Sequence, residues 1–153
     1  EELIFRGWLL NELRLLLGSK WNAIIVQSFI FSIVHLKLAY TFQASLALSL
    51  GLFILGIILA INSLLNRGSL WGCIGIHGGL VGQWFLLSFG VIKIAPDTSS
   101  LLIGPTELNS NPIGGLLTII FLTIFLASQL IALARAGRPF RGARNASCNE
   151  DFP

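Results

Sequence analysis

Residues 1–10 read Glu1-Glu2-Leu3-Ile4-Phe5-Arg6-Gly7-Trp8-Leu9-Leu10. Two adjacent carboxylates and an arginine lead straight into an apolar run, an unusual place for charge. On a helix, Glu2 and Arg6 stand at i, i+4 on one face, acid N-terminal to base, the favourable order for an ion pair. Glu1 points about 100° away at the helical period. One acid can therefore be neutralised by Arg6 while the other stays available for chemistry.

Outward from that stretch the chain stays apolar. Hydrophobic residues make up 54% of 153, charged residues 11%, and the mean hydropathy is +0.81. A soluble domain carries roughly 25% charged residues, so the composition predicts an all-α, polytopic transmembrane helical bundle and excludes an ordinary soluble enzyme. The chain has no methionine and opens inside a charged motif. It therefore reads as the C-terminal part of a larger bundle. Residues 1–134 form the membrane domain, and residues 135–153 a polar, disordered tail.

Helices are expected at residues 1–17, 21–38, 44–61, 69–92 and 113–134, with a turn at 40–43 and polar loops at 62–68 and 93–112. Gly18-Ser19-Lys20 closes the first, and Pro96, Pro105 and Pro112 break the long loop. A spanning helix needs about 20 apolar residues, so the four segments after residue 20 read as spans. Alternating sides puts Arg14, Lys20, Arg67, Arg135, Arg138, Arg141 and Arg144 together, against Lys37 and Lys93. Seven against two marks the first side, and the C-terminus, as cytoplasmic, or stromal in a plastid.

The net charge of +3 thus reports topology, and no nucleic-acid partner is expected. Cys73 and Cys148 lack metal-ligand spacing, so neither a disulfide nor a zinc–thiolate site is expected. Asn145-Ala146-Ser147 is a formal glycosylation sequon, on the expected cytoplasmic side. In the fourth helix, Gly68, Gly72, Gly75, Gly79 and Gly82 are spaced 4, 3, 4, 3. That is the small-residue stripe by which membrane helices approach closely. His77 lies on the other face, turned towards a cavity with Cys73, Leu80, Val81 and Trp84.

Ionisable groups inside a bilayer are costly and face a bundle interior or a wet cavity. Here that set is Glu1, Glu2, Arg6, His35 and His77, with Phe31 on the same helix face as His35. Depths counted along the helices, about 25, 20 and 14 Å for Glu1, His35 and His77 at ~1.5 Å per residue, are compatible with one site. A carboxylate in low dielectric is shifted towards general-base duty, and a histidine can hold a water or stabilise an oxyanion. Each residue also has a plainer role: a lone histidine as a packing contact, a Glu–Arg pair as structural glue. Glu12 and Arg14 read as interfacial, without a role in the site. Two histidines and a carboxylate can also ligate a metal, but the histidines come from separate helices without HExxH spacing.

Glu1-Glu2-x-x-x-Arg6, Phe31-x-x-x-His35, and His77 in a Gly-rich helix, in that order, closely resemble the CPBP family of intramembrane endopeptidases. The family includes type II CAAX prenyl proteases and the lysostaphin resistance protein A-like and abortive-infection proteins. The resemblance covers residues 1–92. The Gly-Ile-His-Gly-Gly surroundings of His77 look most like its cyanobacterial and plastid branch. It implies an intramembrane endopeptidase in which Glu1 activates water, His35 holds that water, Glu2 and Arg6 order the site, His77 binds the oxyanion and Phe31 meets substrate.

The implied substrate is a peptide or lipidated protein in the lipid bilayer; oligomeric state is not implied. Many members are labelled metalloproteases. No third ligand stands beside the histidines in the sequence, so no cofactor is expected, with zinc the alternative. One position departs from the family: four residues after its histidine the third motif usually has Asn or Asp, and here stands Val81, which donates no hydrogen bond. Gln83 lies about 200° round the helix from Val81, a poor substitute. That departure opens a second reading, a non-catalytic membrane scaffold. A small transporter using the same Glu/His set is a third.

Overall fold

A computed structural model describes residues 1–36, 41–91, 95, 97–104 and 111–136, the side chain of Ser88 excepted. The expected turn at Tyr40, the cations Lys37, Lys93, Arg138, Arg141 and Arg144, the prolines Pro96 and Pro105, Cys148, the sequon at Asn145 and the tail from 137 onward lie outside the described residues.

The described residues are helical, with no strand among them. A π-helical segment, Leu3–Leu9, runs without a break into α1, Leu10–Leu17. Then come α2, Lys20–Val34, α3, Phe42–Leu65, and α4, Trp71–Ser88. A single helical turn, α5, Ser100–Ile103, and a 3₁₀ turn, Pro112–Gly114, precede α6, Leu116–Ala136.

Local chemistry sets the boundaries. Gly18 ends α1 in the left-handed region at φ 61°, where the absence of a Cβ removes the penalty. Ser19 then opens α2 by accepting a hydrogen bond from the Asn22 N–H. That helix ends at Val34 with His35 as its C-cap, shorter than the expected 21–38. Thr41 caps α3, accepting from the Ala44 N–H.

The polar residues Asn62 and Ser63 do not stop α3 at Ile61. They turn inward: Ser63 is buried, and the Asn62 side chain lies against α4 at Gly72. The helix ends only at Leu65, where the Gly68 N–H returns to the Ser63 carbonyl and the Arg67 N–H to that of Leu64. This double return is a Schellman motif. α4 closes at Ser88, short of the expected residue 92, because Gly90 turns left-handed at φ 72°.

α3 is the central helix. α2, α4, α6 and the π-helical segment all pack on it, and half of its most apolar window is buried, against 11% for α6. Its inner face, Leu48, Leu52, Leu55, Ile58 and Leu59, meets Phe31, Cys73 and Leu122 in one cluster. Ala60 and Ile61 meet Leu10, Ala23 and Ile24 in a second.

α2 and α3 approach closely. A Cβ added to Gly56 would stand 2.9 Å from the Ser28 Cβ. One turn along, the Ser32 hydroxyl lies 2.8 Å from the Ser49 carbonyl and 2.7 Å from its hydroxyl. Small residues and short hydroxyls at the contact are what hold helices together where lipid is as apolar as the side chains.

Two helices, α3 with 24 residues and α6 with 21, are long and apolar enough to cross a membrane. At ~1.5 Å per residue they measure about 36 and 32 Å, against a hydrocarbon core of ~30 Å. Four spans were expected. α2 has only 15 residues, and the 18 of α4 are interrupted by His77 and Gln83.

The glycine stripe of α4 also differs from expectation. Gly72 meets Asn62 of α3, and Gly68 sits in the turn before the helix at φ 87°, but added Cβ atoms on Gly75, Gly79 and Gly82 would meet nothing within 4 Å. The stripe is turned outward because α4 is tethered to α3 at its N-terminal end, through Gly72 and through Cys73, whose thiol donates to the Leu59 carbonyl at 3.1 Å.

Candidate active site

Glu1, Glu2, Arg6, His35 and His77 come together between the π-helical segment, the end of α2 and the middle of α4. The π-helical segment widens the local turn: the Leu10 N–H reaches the Phe5 carbonyl, five residues back. Such segments occur often at functional positions, and sequence period alone gives no sign of this one. Glu2 and Arg6 still pair as their spacing predicts, with Arg6 Nη1 donating to Glu2 Oε1 at 2.9 Å.

The two carboxylates occupy different environments. The Glu2 side chain is 7% exposed and that of Glu1 56%. Glu2 Oε1 also receives His77 Nδ1 at 2.8 Å. An ionised carboxylate only accepts, so His77 carries its proton on Nδ1. Glu2 and Arg6 cancel in charge, and the His77 Nδ1–H gives the same carboxylate oxygen a second donor. His35 is fixed the same way: its Nδ1 lies 2.7 Å from the Phe31 carbonyl, which can only accept.

Both imidazoles therefore turn Nε2 towards Glu1. Glu1 Oε2 lies 3.3 Å from Nε2 of His35 and 3.7 Å from Nε2 of His77. Nε2 of both histidines and Oε2 of Glu1, the last within hydrogen-bond reach of His35, meet at the mouth of an open pocket of about 540 Å³, lined also by Leu3, Ile74, Gly78 and Val81. A water in this position would donate its protons to lone pairs of the set and be activated for attack. The donor set suits a metal equally well. Glu1, His35 and His77 offer one ligand atom each within 4.8 Å of one another, and both histidines anchor their second nitrogen on an oxygen, as metal-binding histidines do. In such a set the third ligand atom would come from Glu1, brought in from a different helix.

Phe31 does not meet the pocket. It is fully buried beneath the Arg6 guanidinium, 4.3 Å from its ring centre, and edge-on to Phe5 at 5.1 Å. A cation over a desolvated ring is worth about 2 kcal/mol, so Phe31 supports Arg6 where a substrate contact was expected. Leu3, Ile74 and Gly78 are pocket residues that sequence reasoning missed. A signal was available for Ile74, which with Val81 shares the His77 face at −3 and +4. Val81 lines the pocket and is half-exposed, so the wall opposite Glu1 and Glu2 carries no side-chain donor at that position.

Residues 1–82 match a family model described as Type II CAAX prenyl endopeptidase Rce1-like. The matched span holds every residue of the cluster and ends inside α4. No curated protein and no solved structure matches the chain.

Proposed function

The chain belongs to the type II CAAX prenyl endopeptidase Rce1-like family, a protease family, and its long apolar helices make it an integral membrane protein; from this premise we propose that it is a glutamate-dependent intramembrane endopeptidase cutting near the membrane-embedded or lipidated end of its substrate. The observation that carries the proposal is the position of Glu1: half-exposed at an open pocket, within reach of both histidines. Glu1 takes a proton from the attacking water, and His35 Nε2 orients that water. The proton then passes to the leaving amine as the tetrahedral intermediate collapses. His77 donates to the oxyanion from Nε2 in its imidazolium form, which Glu2, bonded to Nδ1, stabilises. Arg6 holds Glu2 in place.

A divalent ion such as zinc, held by Glu1, His35 and His77, would instead supply an activated water by lowering its pKa. Glu1 would then be a ligand, with its carboxylate no longer free as the base.

A second reading, a membrane scaffold that keeps the fold without the activity, draws on one observation: Val81 at the pocket wall. Losing one oxyanion donor costs roughly 10²–10³ in rate.

Cleavage of quenched fluorescent peptides, with and without a farnesylated cysteine, by the protein in detergent separates these readings. Glu1→Gln is expected to lower the rate roughly 10²–10⁴-fold, the usual worth of a general base, while a chelator leaves it unchanged. Loss on chelation makes the metal the activator. If the folded protein cuts nothing, Val81→Asn decides: a gained activity identifies the missing donor, and continued silence supports the scaffold.

A further inference from the structure

Arg6 also lines a second pocket, of about 440 Å³, that neither Glu1 nor Glu2 lines. Its other walls carry Asn11 and Arg14 from α1, Ser63 from α3, and Arg67 from the turn after α3. Three arginines thus face one space, and among the described residues lining it there is no carboxylate. Glu2 is turned to the first pocket, and Glu12, on α1, is exposed and lines neither. An adjoining pocket of about 420 Å³ shares Asn11 and Arg14 and adds Lys20.

Two features distinguish this from cations merely reaching for water. Arg6 is 2% exposed, and its Nε and Nη2 have no hydrogen-bond partner. Its ion pair with Glu2 Oε1 uses Nη1 alone, so two buried donors at the pocket floor are left without a protein acceptor. Arg67 occupies the C′ position of the Schellman turn at φ 55°. Glycine is the usual residue there, and any other carries backbone strain. The chain places a long cation at the rim in a conformation that disfavours it.

The surroundings of the adjoining pocket have the composition of a membrane surface. Trp21 is exposed beside Lys20, whose Nζ sits 5.6 Å from its ring centre, and Leu15 and Leu16 are exposed next to Arg14. Tryptophan and basic residues in this arrangement mark the headgroup region. Guanidinium groups match the oxygens of phosphate in paired hydrogen bonds, and a basic recess between membrane helices suits such a group.

We propose that this pocket binds a phosphate-bearing anion, gripped by Arg14 and Arg67 above the unpartnered guanidinium donors of Arg6. The ligand is either the headgroup of an anionic lipid or a free phosphate.

A thermal-unfolding titration of the whole protein in neutral detergent tests this, at constant ionic strength, with inorganic phosphate in one arm and dihexanoyl phosphatidic acid in the other. A ligand that binds the folded state raises the midpoint saturably. The expected result is a saturable rise with at least one probe; a rise with the lipid alone identifies the headgroup, and a rise with both identifies free phosphate as sufficient. Arg14→Gln with Arg67→Gln should weaken the apparent affinity roughly tenfold or more. Arg67→Gly keeps the test valid should the double variant fail to fold: its midpoint without ligand should be no lower than that of the parent, because glycine suits φ 55°, while its affinity falls. The absence of a saturable shift with either probe, or an unchanged affinity in Arg67→Gly, overturns the proposal.

Discussion

The seam between α2 and α3 and the outer face of α4 are built from the same material with opposite results. Both are apolar helix surfaces punctuated by small residues. At the seam, Gly56 lies so close to Ser28 that no Cβ fits. On α4 the more regular stripe, Gly75, Gly79 and Gly82, meets nothing within 4 Å. Small residues permit close approach, but a second surface of matching shape must be brought to them. α2 can lie along α3 because Ser19 caps it in place and Ser28 and Ser32 offer it a compact face. α4 meets α3 at Gly72 and Cys73 and lays Ile76 and Leu80 on the core cluster, while Ile74, His77, Gly78 and Val81 turn away from it to form a wall of the open pocket. The closed seam supplies rigidity, and the open face of α4 supplies access to Glu1.

The comparison breaks first at Gly56. Gly56→Val should cost roughly 1–3 kcal/mol or more of stability, the usual penalty of overpacking a tight contact, measured by unfolding in a mixed-detergent titration. A neutral result would mean that the seam is loose. Gly79→Ala, on the open stripe, should act in the other direction, gaining about 0.5–1 kcal/mol from helix preference alone; a loss of that size would show the stripe to be packed. Ser32→Ala sharpens the seam itself. It removes the bonds to Ser49 and should cost only about 0.6 kcal/mol, the mean for interhelical hydrogen bonds in membranes, read in the same titration.

Much of this architecture is legible without coordinates. Uncharged apolar runs announce α3 and α6, and the end of α1 at Gly18-Ser19-Lys20 follows from local backbone chemistry. The ends of α2 and of the long α3 were less legible, because Asn62 and Ser63 look like loop residues until α4 is there to receive them. Phe31 carries no mark that separates a support for Arg6 from a substrate contact, since an aromatic ring suits both and only burial decides. The charge pattern gave Arg14 and Arg67 a topological meaning, and only their convergence with Arg6 around one pocket suggests a further one.

The sequence by itself determined the pairs whose members lie within one helical turn. Glu2 and Arg6 meet because i, i+4 neighbours share a face wherever the helix is placed, and the pairing survives even a π-helical segment. The tertiary structure alone decided what happens between residues 34 to 76 positions apart: that His35 and His77 converge on Glu1, that His77 binds Glu2, and that the glycine stripe faces outward. Those distances depend on how α2 and α4 cross α3. The crossings are fixed by side-chain shape at Gly56, Ser28, Gly72 and Cys73, a property of surfaces in contact that no period along the chain records.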